Sequence, residues 1–321
     1  MKIVASHQLD PAAVDYLKKQ GFVLYVANSP NPSSYIDQLK TADAFILRVG
    51  VCDSSIIEQC SHLKVIGRTG VGYDNVDVSY ATKHGIPVVI TLGANSRSVA
   101  EHALALMFAC AKNMKEADSE IRKGNWLIRD AGKAVELAGR KVGIIGVGAI
   151  GKLVAQLCSA IGMECFGYSH SHNRAKVEAA GCAYCENLDD MLSECDVITL
   201  HVPLKGNTKH LLGVREISLM KQSAILINTS RGAVVDEKAL ADALNANRIA
   251  AAGIDVFSTE PITMDNPLLH AKNTILTPHS AALTKEALRN MCVECAKGCV
   301  AVCKGERWPH IVDPSVYDVR S

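Results

Sequence analysis

The sequence predicts an α/β protein built from two doubly wound parallel-sheet units. Three observations carry this. Short apolar runs alternate with helix-length segments from the N-terminus to about residue 91, and again from Lys141 to about residue 278. The runs are apolar at successive positions, as strands covered on both faces of a parallel sheet must be. A separate helical segment near 98–112 divides the two alternations, and 321 residues suit two domains of roughly 150 residues each.

In the first alternation, KIVAS (2–6) reads as a strand, followed by a helix near Pro11–Gln20 and a strand at FVLYV (22–26). AFILR (44–48), LKVIG (63–67) and PVVIT (87–91) read as further strands, with a helix near Ser54–Gln59 between the first two. Ser98 and Glu101 have the spacing of a capping box before an apolar run. The connecting helix is therefore expected to start with Ser98 as N-cap and to run to about Lys112. The second alternation contains KVGIIG, ECFGY, CDVITLHV, AILINT, AAGIDVF and NTILTP. A last helix at about 284–303 lies beyond it. If that helix returns to the first unit, the domains are 1–97 with 285–321, and 98–284.

Charge and composition narrow the function classes. Lys+Arg is 34 against Asp+Glu 33, so no electrostatic footprint for nucleic acid or an anionic membrane is present. The most apolar stretch, Val142–Ile161, carries Lys152, Gln156 and four glycines and does not read as a membrane span. The start, MKIVASHQLD, has too short an apolar core for a signal peptide, so a cytosolic location is expected. The twelve cysteines then read as reduced thiols rather than a disulfide framework. The pairs Cys182/Cys185 and Cys292/Cys295 are too far apart for a zinc ribbon. Cys292, Cys295, Cys299 and Cys303 fall on one helix face, where buried thiols act as small apolar side chains, and no metal is expected.

Directly after the strand Lys141–Ile145 comes Gly146-Val147-Gly148-Ala149-Ile150-Gly151, opening a helical pattern. In that context the pattern indicates a dinucleotide site. Gly146 permits the turn, Gly148 lets the backbone approach a pyrophosphate, and Gly151 lets helix and strand pack closely. Ala149 and Ile150 place free N–H groups of the first helical turn towards the phosphates. The next strand ends in Ser169 and His170 instead of the acidic residue that would bind a ribose hydroxyl. Ser169 does not repel a 2′-phosphate and Arg174 can pair with one, so the reading leans to NADP over NAD.

Three further segments follow strands of the second unit. They are Asn228-Thr229-Ser230-Arg231-Gly232, Gly253 to Phe257 leading to Glu260-Pro261, and Thr277-Pro278-His279-Ser280-Ala281-Ala282. Loops at strand C-termini line the ligand crevice of such a sheet, so Arg231, Glu260 and His279 can converge. The trio suits hydride transfer on a 2-hydroxy acid. A guanidinium grips a carboxylate and polarises a carbonyl, an imidazole exchanges the hydroxyl proton, and a carboxylate orients that imidazole.

With these residues the chain resembles the D-isomer-specific 2-hydroxyacid dehydrogenase family, of the phosphoglycerate dehydrogenase and hydroxypyruvate or glyoxylate reductase type. The resemblance spans nearly the whole chain. It includes LKVIGRTGVGYDNVDV (63–78), GANSRSVAEHALALM (93–107), the glycine-rich turn and DVITLHVPLKGNT (196–208). It continues through INTSRGAVVDEKAL (227–240), GIDVFSTEP (253–261) and TPHSAALT (277–284). It implies a Rossmann dinucleotide-binding domain and a flavodoxin-like substrate domain. It implies that Arg231, Glu260 and His279 are catalytic. Asp255 and Thr229 would face the nicotinamide end of the cofactor, Ser230, Arg231, His279 and Ala281 would also bind it, and His201, Val202, Pro203 and Thr208 would pass near its adenosine side. Backbone N–H groups of Gly70, Val71 and Gly72 would hold the substrate carboxylate. Arg48 stands where phosphoglycerate dehydrogenases carry a substrate-binding arginine, although a solvated charge reads equally well.

The resemblance also implies a small-molecule 2-oxo or 2-hydroxy acid as partner, with hydroxypyruvate, glyoxylate and 3-phosphohydroxypyruvate ranked first. A homodimer is expected, with the apolar Ala103–Ala111 packed on its twin, against burial of that helix within its own chain. An alternative is a dinucleotide-sensing, corepressor-like binding protein on the same scaffold. A chain ending at Ser321 leaves no room for the C-terminal regulatory extension of many phosphoglycerate dehydrogenases, so feedback through one is not expected. The other histidines lie in no such motif, His102 reads as structural, and Trp126 reads as a packing residue.

Overall fold

The computed structural model describes residues 1–319. The chain divides into two compact units, Met1–Asn95 with the residues from Leu283 onward, and Ser96–Ala282.

The first unit holds β1 (Lys2–Ala5), β2 (Val23–Val26), β3 (Ala44–Leu47), β4 (Val65–Arg68) and β5 (Val88–Val89). They pair in parallel in the order β2-β1-β3-β4-β5. This is the flavodoxin-like order, which reverses between β1 and β3 and so opens a crevice at the strand C-termini. The helix Pro11–Lys19 begins where Asp10 accepts the Ala12 N–H at 2.8 Å, with proline at its first position. The helix Lys285–Cys303 starts at a Thr284 cap and lays Cys292, Cys295, Cys299 and Cys303 into this unit's core beside Ile3, Ile46 and Val65. The fit is close, since a Cβ on Gly67 of β4 would stand 2.6 Å from the Cys295 sulfur. Among the described residues no group of three or more His, Cys, Asp or Glu is placed to hold a metal.

The second unit holds β6 (Lys141–Ile145), β7 (Glu164–Tyr168), β8 (Ala183–Cys185), β9 (Val197–Leu200), β10 (Ile225–Asn228), β11 (Ala251–Ile254) and β12 (Thr274–Leu276). All pair in parallel, in the order β12-β11-β10-β9-β6-β7-β8. The order reverses between β6 and β9, which is the Rossmann arrangement. Every residue of β9, β10 and β11 is buried, which explains their unbroken apolar runs. β8 was not expected: its three residues, Ala-Tyr-Cys, carry too short a pattern to read. Among the described residues no helix is long and apolar enough to cross a membrane.

Two local expectations need correction, those on Ser98 and on Trp126. The connecting helix runs Ser96–Ala111, so Ser98 lies inside it and is not its N-cap. Ser98 is buried, and Glu101 turns outward to pair with Arg97 at 2.5 Å instead of closing a capping box. One face of Ala103–Ala111 is buried within its own unit. Ala103, Leu106, Met107 and Ala111 are buried in the unit's own core, with Leu104, Phe108 and Cys110 packed at its margin. Trp126 is 64% exposed in a 3-10 turn, so most of its ring is left uncovered by the described residues.

Candidate active site

The glycine-rich turn fits a dinucleotide. Gly146 takes φ +96°, and a Cβ there would stand 2.6 Å from the His201 carbonyl oxygen and 2.7 Å from Val202. A Cβ on Gly151 would collide with the Gly146 carbonyl, so close helix–strand packing requires glycine. Gly148 faces open space, with nothing within 4 Å of a would-be Cβ. The helix Ala149–Ala160 starts immediately after it, and its first N–H groups lack helical acceptors. Two buried polar atoms nearby in the fold are without hydrogen-bond partners, Nδ1 of His201 at the end of β9 and Oγ1 of Thr229 at the end of β10. The His201 ring is bonded through Nε2 to Thr199 at 2.9 Å, and burial pushes its pKa down to about 4. Orphaned buried polar atoms at strand C-termini are what a polar ligand would satisfy.

The remaining cofactor positions behave differently from one another. Ser169 follows β7 and shares a 2.9 Å hydrogen bond with Ser171, and His170 is exposed beside it. Arg174 is exposed, 4.5 Å over the Tyr184 ring and 3.6 Å from Glu178. Pro203 is exposed, whereas Thr208 is buried and occupied. The Thr208 hydroxyl donates to the Pro203 carbonyl at 2.7 Å and accepts the Lys205 N–H at 2.7 Å, so it closes this loop on itself.

Arg231, Glu260 and His279 all stand on loops after strands of the second unit. Asn228 ends β10 and accepts the Ser230 N–H at 3.0 Å, while its amide donates to the Arg231 carbonyl at 2.9 Å. This Asx turn sets the Arg231 backbone. A Cβ on Gly232 would collide with the Phe257–Ser258 peptide, so the Arg231 loop and the Glu260 loop pack backbone to backbone. Arg231 donates from Nη1 to the Ser230 carbonyl at 2.7 Å.

His279 Nδ1 lies 2.6 Å from Glu260 Oε2, and the other carboxylate oxygen accepts the Phe257 N–H at 2.9 Å. Burial works to raise the Glu260 pKa. The hydrogen bonds from His279 and Phe257, with the charges of His279 and Arg231, outweigh it and hold the carboxyl below its ordinary range. The carboxylate is therefore ionised at neutral pH. An ionised carboxylate accepts, so Nδ1 carries the proton of this bond and Nε2 is left to face a reactant.

Asp255 follows β11 and lies beneath the His279 loop. It is 1% exposed and spends its oxygens on the His279 loop, accepting the Thr277 hydroxyl at 2.5 Å and the N–H groups of Ser280 and Ala281 at 2.9 Å each. Its carbonyl also accepts the His279 N–H at 2.7 Å. His102 joins this anchor, with Nε2 3.0 Å from the Thr277 hydroxyl and 3.5 Å from Asp255. The anchor holds His279 at φ +51°, a left-handed conformation uncommon for histidine. Thr277 and His102 were not singled out as site residues, because nothing in their local pattern announces a shared partner 22 or more residues away.

In the first unit, Arg48 follows β3 and Gly70, Val71 and Gly72 follow β4. Gly70 is buried with φ +154°, whereas Val71 is exposed.

Comparison with known proteins agrees with this geometry. Residues 104–281 match the family model for the D-isomer specific 2-hydroxyacid dehydrogenase, NAD binding domain. The chain is 36% identical to a glyoxylate reductase of Aeropyrum pernix, over 99% of its own length and 98% of that protein. It is 37% identical to a D-3-phosphoglycerate dehydrogenase of Archaeoglobus fulgidus, over 95% of its own length but only 58% of that protein. A crystal structure of D-lactate dehydrogenase from Aquifex aeolicus with NAD and lactic acid superposes with a TM-score of 0.83 at 30% identity, covering 95% of this chain and 96% of that one. The second unit is thus the nicotinamide-dinucleotide-binding domain, and the chain belongs to the D-isomer specific 2-hydroxyacid dehydrogenase family.

Proposed function

We propose that this protein is an NAD(P)-dependent oxidoreductase that interconverts a small 2-oxo acid and the corresponding D-2-hydroxy acid. The observation that carries the reading is the 2.6 Å bond between His279 and Glu260, beside the charge of Arg231. The dinucleotide, when bound, supplies or accepts the hydride. Arg231 grips the substrate carboxylate and polarises the carbonyl, as a planar fork of donors suits. His279 gives its Nε2 proton to the forming alkoxide in reduction and removes it in oxidation. Glu260 keeps the ring in the required tautomer and stabilises its charged form. Asp255 acts through the loop, as a positioning residue. The first unit serves as the substrate domain, in which the Gly70-Val71-Gly72 turn presents N–H groups to an anion.

Glu260→Gln tests the pairing. Loss of the negative charge disfavours imidazolium, so the alkaline limb of the pH–rate profile for reduction moves to lower pH, and kcat falls about 10- to 100-fold. An unmoved limb would show that Glu260 does not govern His279. Stability has its own sign. The depressed Glu260 pKa contributes stability at neutral pH that is lost as pH falls through the carboxyl range. The Gln variant should therefore show a flatter dependence of Tm on acid pH.

The reading leans to NADP over NAD. Its support is the uncharged Ser169 and an Arg174 whose exposed pairing with Glu178 is worth at most about 1 kcal/mol and yields to a phosphate. Twelve cysteines in the thiol form favour the reducing cytosol. A homodimer is supported by an apolar surface of Met114, Ile121, Trp126 and Leu127, which are 51%, 44%, 64% and 75% exposed. The wild-type chain should elute at about twice 34.4 kDa by light scattering, and a Trp126→Ser/Leu127→Ser double variant at 34.4 kDa. A monomeric wild type would refute that arrangement.

The function itself is tested by following reduced-nucleotide absorbance with NADPH and NADH against glyoxylate, hydroxypyruvate, 3-phosphohydroxypyruvate, pyruvate and a branched 2-oxo acid. Turnover of one of them is the expected result. Binding of nucleotide with no turnover across the panel would overturn the assignment.

A further inference from the structure

Glu260 stands in a loop that the second unit covers poorly. From Ser258 to Asp265 every residue except Ile262 is exposed. The two ends of this loop meet on one side chain, that of Glu237. Its Oε1 accepts the Ser258 N–H at 2.6 Å. Its Oε2 accepts the Ser258 hydroxyl at 2.6 Å and the Asn266 side-chain amide at 2.9 Å. Asn266 is buried, and its amide oxygen accepts the Leu268 N–H at 3.0 Å, which fixes the way the amide points. A surface loop closed at its neck in this manner is an Ω-loop. Glu237 itself is rigidly held. It opens the helix Glu237–Asn245, which Asp236 caps by accepting the Ala239 N–H at 3.0 Å. That helix buries Ala239, Leu240, Ala241 and Leu244 in the same core as Phe257 and Leu268. The Phe257–Ser258 peptide is thus held twice, by the backbone of Gly232 in the Arg231 loop and by the Glu237 carboxylate. The Phe257 N–H in turn bonds to Glu260.

We propose that Glu237 is a positioning residue, which closes the neck of the Glu260 loop and so keeps Glu260 bonded to His279. The activity expected of its variants rests on the 2-hydroxyacid reading above. An exposed loop with few buried contacts opens at little cost, so its order depends on its ends. Here three hydrogen bonds to one carboxylate supply that order, from a helix whose own face is locked in the core. With the neck open, Glu260 leaves His279 for part of the time. The Nδ1–H then has no fixed acceptor, and the neutral ring takes both tautomers. Glu237 touches none of Arg231, Glu260 and His279 through its carboxylate, so its effect on them passes through the loop.

Ring-nitrogen NMR of the histidines in the full chain provides the test, at alkaline pH where imidazole is neutral. The His279 signals are those lost in His279→Asn. Wild type should carry the proton on Nδ1, and Glu237→Ala should show mixed tautomers. Glu237→Asp keeps the charge but shortens the side chain by one methylene. It should behave as Glu237→Ala does, and decides the matter if that variant does not fold. Glu237→Gln removes the charge but keeps the length and an acceptor for the Ser258 N–H, so it should stay nearer to wild type. The opposite order, with Asp silent and Gln damaging, would assign the effect to charge and overturn the proposal. In turnover of a 2-oxo acid, kcat of Glu237→Ala should fall roughly 10- to 100-fold, as a displacement of about 1 Å costs, with nucleotide affinity unchanged. Combined with Glu260→Gln, Glu237→Ala should cost much less than it does alone, because it acts through the same carboxyl group. Losses that multiply in full, or an Nδ1 proton retained in both Glu237→Ala and Glu237→Asp, overturn the proposal. The tautomer readout needs no substrate. A chain that shows the expected tautomers yet turns over no 2-oxo acid would refute the proposed function and leave the role of Glu237 standing, so the two failures are distinguishable.

Discussion

His279→Asn is expected to lower kcat for 2-oxo acid reduction by roughly a hundredfold to ten-thousandfold, the usual yield of a positioned general acid. Asparagine is the better probe than alanine. His279 sits at φ +51°, which asparagine tolerates and alanine resists. The side chain is 47% exposed, so the change leaves no cavity, and the loop stays tied to Asp255 by main-chain bonds. Nucleotide affinity measured by fluorescence should therefore hold, and Tm should move little. Turnover within a few-fold of wild type would remove His279 from the chemistry and leave the trio without its acid.

Arg231→Lys tests a different property, the geometry of the fork and not its charge. A lysine keeps the positive charge but replaces paired parallel donors with one point donor. Losing charge-assisted hydrogen bonds of about 1.5–3 kcal/mol each should lower kcat/KM by roughly 10- to 1000-fold. Both constants should suffer, because the guanidinium serves the carboxylate in the ground state and the carbonyl in the transition state. Retention of normal kcat/KM in Arg231→Lys would show that Arg231 contributes charge alone, through Glu260. The backbone should be unaffected, since Asn228 and Gly232 set the turn without the Arg231 side chain.

Much of this architecture is legible in the amino-acid order because the signals are local. The runs VITL, ILIN and AAGI are apolar at every position or nearly so, and only a strand covered on both faces has that composition. The turn at Gly146–Gly151 is readable because Gly146 and Gly151 each answer a close contact, with the end of the neighbouring strand and with the turn itself. The four cysteines of the last helix are readable as core because their spacing keeps one face. Errors arise where the deciding partner is remote. Ser98 and Glu101 carry a capping-box spacing, yet the helix begins at Ser96 and Glu101 pairs with Arg97. Trp126 suggests packing by its size, but the described residues leave 64% of it exposed.

The same division runs through the site. The sequence alone determined the α/β class, the dinucleotide turn and the loops on which Arg231, Glu260 and His279 stand, because each depends on residues a few positions apart. The folded chain decided how those loops are held. Asp255 anchors the His279 loop, because hydroxyl and N–H donors from 22 to 26 residues away converge on it. Parallel strands must be joined by crossovers of many residues, so groups that meet at their ends are distant in the chain, and no local pattern can announce them.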